Sequence, residues 1–359
     1  MVQMNPEVIG TEASISEAVA AIERGRKTIA VIVDGNGLVV GTISDGDVRR
    51  AILRGLGTDS PARAIANLSP VTARDDTPEE ELARMLTSRG IEALPVIDEG
   101  GRFLRTAFIE DMTRLQGRPA SASGFWCALI MAGGEGKRMR PYTDKVPKPM
   151  LQIGGMPIME RNIRALARLG IPRFFLSINY LGHIIEAHFG DGTGLGTRIE
   201  YLRETQPLGT GGALRLLPER VTGPVLVMNG DLLTGMDVGR LLAFHQEHGA
   251  HITVAAKEYR MEVPFGVLRT SGPEITALHE KPSERFLCNA GIYVLSAEVF
   301  ARLPAEARFD MTTLIDIALR EQRKVVAFPM FELWHDVGTP AQLEEARSLV
   351  ELGEISNVR

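Results

Sequence analysis

Two stretches of this chain, TIAVIVDGNGLVVGTISDGDV at 28–48 and EALPVIDEGGRFLRTAFIEDM at 92–112, can be laid over one another without a gap. Asp34 then falls on Asp98 and Asp47 on Asp111; 98 − 34 and 111 − 47 both give a shift of 64 residues. Each copy reads as an apolar strand, a turn of the Asp-Gly kind, a second strand and then a helix. SISEAVAAIERG and PEEELARMLTSRG supply leading helices, each opened by an N-cap candidate and closed by glycine. One such unit cannot bury its apolar face alone, so the duplication predicts two copies packed against each other.

The pattern stops at QGRPASASG, residues 116–124, a small, polar, proline-bearing stretch that reads as a linker. The expected organisation is a duplicated domain at 1–116, a linker at 117–124 and a second domain at 125–359. A chain of 359 residues is too long for one ordinary core. With 44% hydrophobic residues and a net charge of −5, it reads as an ordinary globular protein with no basic surface for nucleic acid. Two cysteines, Cys127 and Cys288, make neither a disulfide framework nor a zinc spacing, which suits a reducing cytoplasm. MVQMNPEVIG carries no charged-then-apolar leader, and no apolar run approaches membrane-spanning length. A cytoplasmic protein with no membrane partner is expected.

Beyond the linker, the apolar runs ALIM, RFFLSIN and PVLVMNGD alternate with helical patterns such as MERNIRALARLG. That alternation predicts a parallel sheet with helices on both faces, whose ligands sit beyond the carboxyl ends of the strands. The first run continues as LIMAGGEGKRMRPYTDKVPKPM, 129–150. Glycines there let backbone N–H groups approach an anion, and Lys137, Arg138, Arg140 and Lys148 can neutralise it. The spacing is neither a Walker A loop nor a dinucleotide fingerprint. On its own the stretch fits a phosphate site or a solvated basic loop. A strand also ends in Asp231, a position that suits a helix cap or a metal ligand, and Asp336 stands in WHDVGTP. Two carboxylates beside a basic glycine loop make a constellation for Mg²⁺ and a polyphosphate.

Residues 1 to about 115 resemble a tandem pair of CBS domains. In GTISDGD, 41–47, the resemblance implies that Ser44 would meet the phosphate and Asp47 the ribose of an adenosine-type nucleotide. In the second copy Phe108 replaces the hydroxyl residue. A nucleotide sensor and a pure dimerisation scaffold both fit, and a homodimer is expected.

LIMAGGEGKRMRPYTDKVPKPM, ETQPLGTGGAL, NGD, EKP, NAGIY and WHDVGTP occur in the order found in sugar-1-phosphate nucleotidyltransferases. The resemblance, over 127 to about 350, implies a Rossmann-like mixed α/β nucleotide-diphospho-sugar transferase fold. It implies that Ala132, Gly133, Gly134 and Gly209 bind the nucleotide, and that Arg138 and Lys148 hold the phosphates. Asp231 and Asp336 would bind Mg²⁺, and Gly266, Glu280, Lys281 and Asn289 would line the sugar phosphate pocket. The base would be read by Glu204, three residues before Pro207. A carboxylate only accepts hydrogen bonds, and guanine offers two adjacent donors, so GTP is favoured over pyrimidine nucleotides. PLGTGGAL is similar to guanylyltransferases of mannose and heptose 1-phosphates. The fused CBS pair further resembles the glucosamine-1-phosphate guanylyltransferases of legionaminate pathways. A uridylyl- or thymidylyltransferase, or a regulatory subunit that binds sugar nucleotides without turnover, are the other readings. Cys127 reads as a core residue, His335 as a packed neighbour of Asp336, and His183 and His188 as surface or packing residues.

Overall fold

The computed structural model describes residues 7–25, 29–109, 111, 124–218, 221–306 and 308–351. The expected linker, apart from Gly124, lies outside them, as does the helix expected after the second copy apart from Ile109 and Asp111. The chain divides into two compact units, 1–119 and 120–359.

In the first unit each copy builds a three-stranded sheet. Val8–Gly10, Ile29–Val33 and Val39–Ser44 form one, and Ala73–Arg74, Ala93–Ile97 and Phe103–Phe108 form the other. In both, the first pair is parallel and the second is an antiparallel hairpin. The repeat extends to the register. Ile29 faces Ser44 where Ala93 faces Phe108, and the bulge after Ile32 recurs after Val96. Even the turns match: Asp34 accepts from the Leu38 N–H at 2.9 Å, and Asp98 from the Arg102 N–H at 2.8 Å. Phe108 is buried in a cluster with Ile29, Val31 and Ala93, so the position that is a hydroxyl in one copy fills core in the other. The helix Ile15–Arg24 opens on a capping box between Ser14 and Glu17. The N-cap expectation fails at Glu79–Arg89, which starts from Pro78 with no side-chain cap.

The second unit is a seven-stranded mixed sheet. Its spatial order is Arg198–Arg203, Arg173–Ile178, Cys127–Met131, Val225–Asn229, Ser283–Leu295, Ile252–Glu262, Val325–Met330. Six strands are co-directional; Ser283–Leu295 runs against both neighbours. This is the mixed sheet that the resemblance implies, and the apolar runs ALIM, RFFLSIN and PVLVMNGD are parallel strands within it. Ser283–Leu295 returns from Ile252–Glu262 through an antiparallel arm, Val267–Ser271 with Glu274–His279, rather than through a crossover helix.

Neighbouring residues on the central strands serve opposite cores. Ala128, Ile130, Leu226 and Met228 pack under the helices Ile158–Arg168, Gly182–Phe189 and Val238–Glu247. Cys127, Leu129, Val225 and Val227 face the helix Met311–Arg320. Burial on both faces is why these strands read as unbroken apolar runs. A third, smaller core joins Met139, Leu151, Leu233, Val337, Leu343 and Val350. It fixes the segments that carry Arg138, Asp231 and Asp336.

Candidate functional site

Cys127–Met131 is followed in sequence by a helix and strand on one side of it, whereas Val225–Asn229 lies on its other side. The carboxyl ends of these two strands therefore form a switch point, where an open α/β sheet leaves a crevice. A cleft of about 670 Å³ occupies it, lined among others by Gly133, Arg138, Lys148, Glu204, Asp231 and Arg308.

The glycine loop folds over this crevice. Gly136 has φ +61°, and a Cβ there would sit 3.0 Å from Thr143 and 3.1 Å from Lys148. Only glycine lets the loop lie that close to the segment carrying Lys148. Lys148 is 9% exposed, its ammonium paired with Asp231 Oδ2 and 3.9 Å from Asp336 Oδ1.

The two aspartates meet because a short ribbon aligns them. Leu232–Thr234 pairs antiparallel with Trp334–Asp336, setting Leu232 opposite Asp336, and the Val337 N–H donates to the Asp231 carbonyl at 3.3 Å. No helix follows Asp231, so it is not a cap. Burial, then the charge of Asp231, pushes the Asp336 carboxyl above the usual carboxylate range, opposed by Lys148, Arg138 and His335. Two carboxylates that repel each other, set beside cations at a cleft, suit a hard divalent cation that shares its shell with water and phosphate oxygens. Among the described residues no set of three or more His, Cys, Asp or Glu side chains could hold a metal. A cation would thus rest on Asp231, Asp336 and a substrate.

A nucleotidyl transferase profile matches residues 127–352, well over half of the chain, and a CBS domain profile matches 2–54 and 62–108. The chain belongs to the nucleotidyl transferase family. It is 34% identical over 221 residues to the mannose-1-phosphate guanylyltransferase of Mycobacterium tuberculosis, covering 59% of this chain and 61% of that protein. It is 32% identical over 222 residues to the mannose-1-phosphate guanyltransferase of Saccharomyces cerevisiae, with the same coverage. The chain thus spans about three-fifths of the length of these relatives. Among solved structures, HddC from Yersinia pseudotuberculosis is 23% identical with a TM-score of 0.49, over 63% of this chain and 100% of that one.

Within this nucleotidyl transferase unit, Ala132, Gly133, Gly134, Arg138, Lys148, Glu204, Gly209 and Asp231 all line the cleft. Asp336 stands at its edge, its Oδ2 3.4 Å from where a Cβ on the lining Gly338 would lie, with Arg138 at 3.7 Å. The sugar phosphate set is not among the lining residues. Gly266 and Glu280 flank the exposed arm, where a Cβ on Gly266 would come 3.0 Å from the Glu280 carboxylate. Lys281 adopts φ +43°, and Asn289 accepts from the Gly291 N–H at 3.0 Å.

Sequence reasoning missed Arg308, a lone loop arginine with no motif around it that reaches the cleft. It also missed the partners of the GTGG turn. Thr210 donates its N–H to Asp310 at 2.8 Å, and Gly211 donates to the Phe309 carbonyl at 2.9 Å. Glycines at 209 and 211 are therefore needed for close packing on Phe309 and Asp310, where a Cβ would meet atoms at 2.6 and 2.5 Å.

The residues read as structural behave so. Cys127 is buried and its thiol is pushed up to about 12 by burial. His335 bonds the Gln342 carbonyl at 2.7 Å, and His188 bonds Glu160 at 2.7 Å. In the CBS unit, Ser44 and Asp47 come together as a capping box of the helix Asp45–Leu53. Asp47 accepts from the Ser44 N–H at 2.8 Å and from its hydroxyl at 2.7 Å, and Arg50 reaches Asp47 at 2.7 Å. No helix among the described residues is long and apolar enough to cross a membrane.

Proposed function

We propose that the protein is a sugar-1-phosphate guanylyltransferase that joins GTP to glucosamine 1-phosphate, giving a GDP-sugar and pyrophosphate. The observation that carries the reading is the cluster of Lys148, Asp231 and Asp336 at a switch-point cleft that the glycine loop and Glu204 also line. An oxygen of the sugar phosphate attacks the α-phosphorus in line. The new P–O bond forms as the bond to the β-phosphate oxygen breaks, and pyrophosphate leaves with that electron pair.

Two anions must be brought together, so positioning and neutralisation supply most of the rate. Ala132, Gly133, Gly134 and Gly209 hold the nucleotide, with the backbone N–H groups of Gly133 and Gly134 facing its phosphates, since that of Ala132 donates to the Ser177 carbonyl at 2.9 Å. Arg138 neutralises the triphosphate, and Lys148 holds phosphate oxygens of both substrates. Asp231 and Asp336 hold Mg²⁺, which supplies charge neutralisation at the reacting phosphates. Gly266, Glu280, Lys281 and Asn289 receive the sugar phosphate. Glu204 accepts from the two adjacent donors of guanine. A subunit that only bound sugar nucleotides would have no need to keep the lysine and both aspartates together.

The sugar assignment follows the fused CBS pair, as in the glucosamine-1-phosphate guanylyltransferases. A second reading, mannose 1-phosphate, is favoured by the names of the two relatives above. The setting is a cytoplasmic homodimer. The test is a matrix of GTP, ATP, UTP and dTTP against glucosamine-, mannose-, glucose- and N-acetylglucosamine-1-phosphate, read by pyrophosphate release. Turnover should be highest with GTP and glucosamine 1-phosphate. Higher turnover with mannose 1-phosphate selects the second reading, UTP or dTTP above GTP overturns the base, and no release from any pair overturns the enzyme.

A further inference from the structure

The surroundings of Glu204 restrict what its carboxylate can do. Ser177 is 0% exposed on the Arg173–Ile178 strand, next to the strand that leads into Glu204. Its hydroxyl donates to Glu204 Oε1. The Leu208 N–H donates to Oε2 at 3.0 Å. The backbone of Glu204 is held as well: its N–H donates to the Ile178 carbonyl at 2.9 Å, and its carbonyl accepts from Asn179 Nδ2 at 2.6 Å. On a further side Gly133 closes the space, since a Cβ there would come 3.0 Å from Oε1. A carboxylate offers about four acceptor positions. Ser177 and Leu208 occupy one on each oxygen, which leaves one on each for a ligand in the cleft that Glu204 lines.

We infer that Ser177 is a positioning and specificity-determining residue, which fixes the Glu204 carboxylate so that it meets a pair of adjacent donors. The inference rests on the guanine reading of Glu204 and deepens it. An N1–H beside a 2-amino group matches two free acceptors, one per oxygen. Adenine presents an acceptor beside a donor, and uracil a donor between two acceptors, so neither fills both. The two anchors differ in kind, and this gives Ser177 a further role. A backbone N–H can only donate, whereas a hydroxyl donates or accepts. A glutamine at 204 would therefore turn its amide oxygen to Leu208 and its nitrogen to Ser177, and would offer the cleft one donor and one acceptor. Ser177 is the group that makes that swap possible.

The experiment measures kcat and KM for GTP and UTP in the wild type, Ser177→Ala, Ser177→Thr, Glu204→Gln and the Ser177→Ala/Glu204→Gln double variant, with melting temperatures alongside. Loss of one hydrogen bond to a charged group predicts that Ser177→Ala raises the GTP KM by about 10-fold, with kcat nearly kept and the GTP-over-UTP ratio reduced. Ser177→Thr, which retains the hydroxyl, should restore much of the ratio. In the double variant the two effects on the ratio should be non-additive, because both act on one carboxylate. The inference is overturned if Ser177→Ala leaves the GTP KM and the ratio unchanged while Glu204→Gln alters them. It is overturned too if the two losses simply add. A wild type without preference for GTP overturns the guanine reading itself, and this inference with it.

Discussion

Lys148 sits between two aspartates with little contact with water, so each partner in the trio constrains the others. Removing the charge of Asp231 leaves the ammonium with Asp336 at 3.9 Å as its acidic partner. An open strand end alone would suggest that Asp231→Asn costs no stability, but the observed pairing argues otherwise. Leaving a mostly buried charge poorly paired costs roughly 1–3 kcal/mol. Turnover should fall further, by at least about 10²-fold, the scale of losing one preorganised electrostatic element. Initial rates with and without EDTA, and a thermal melt of the same variant, measure the two effects separately. Near-normal turnover in Asp231→Asn, or in the wild type with EDTA, would sink the two-carboxylate mechanism. This trio was legible in the sequence only as motifs in the right order. The pairing itself depends on the Leu232–Asp336 register, which no spacing along the chain encodes.

Among elements, the turn Leu208–Gly212 and the segment Phe309–Met311 act as one piece. The Phe309 carbonyl accepts from both Gly211 and Gly212, and the Met311 N–H donates to Thr210. Gly211→Ala places a methyl 2.5 Å from the buried Phe309 ring, and overpacking of this kind costs about 1–3 kcal/mol. A lower melting temperature with a raised GTP KM is expected, since Glu204 is bonded to Leu208 at the start of the turn. An unchanged melt would mean that the clamp yields freely. The helix Val238–Glu247 is docked differently, through His245, which is 3% exposed. Ser296 donates to the Ala250 carbonyl at 2.7 Å, so His245 Nε2–H donates to Ser296 and Nδ1 accepts from Thr253. Burial lowers this histidine from 6.5 to about 4. The unfolded chain therefore takes up the proton first as pH falls. Stability from this group is complete above about pH 6.5, declines through pH 4 and is level below, a total of about 3 kcal/mol. Melts from pH 7.5 to 4 on the wild type and His245→Gln should differ in slope by that one proton; parallel curves would rule the histidine out. Strand positions were readable from apolar runs because each run faces two cores. The reversed strand Ser283–Leu295 was not, since direction is set by the arm before it.

At the scale of the whole molecule, the duplication was the most legible feature, down to a bulge repeated at the same place. What a repeat cannot reveal is whether matched residues bind a ligand or one another. Ser44 and Asp47 are bonded to each other and start a helix, so an incoming ribose would compete with a capping box worth about 1 kcal/mol. Among the described residues, those lining the cleft fall between 131 and 338. Deleting 1–116 should therefore leave pyrophosphate release within about 3-fold, far less than the 10²-fold scale of a lost catalytic group. Loss of activity in a truncated chain that still melts cooperatively would assign the CBS unit a part in catalysis. Whether the unit senses a nucleotide is decided by calorimetry of the full chain with AMP, ATP, CMP and GDP-glucosamine. The second copy has a buried Phe108 where the first has its hydroxyl, so one site per chain is expected. Asp47→Ala would remove a binding group and a helix cap together, which makes it ambiguous by itself. Ser14 and Glu17 supply the control, because they form the same capping box on the helix Ile15–Arg24. Glu17→Ala should lose about as much stability as Asp47→Ala yet keep the nucleotide. Binding lost only in Asp47→Ala, with a KM shift of roughly 5- to 150-fold in the wild type when the nucleotide is added, marks a sensor coupled by about 1–3 kcal/mol. Equal loss in both variants would trace the effect to the helix start, and no binding by any of the four would leave the unit a scaffold, read by sedimentation as monomers after its deletion.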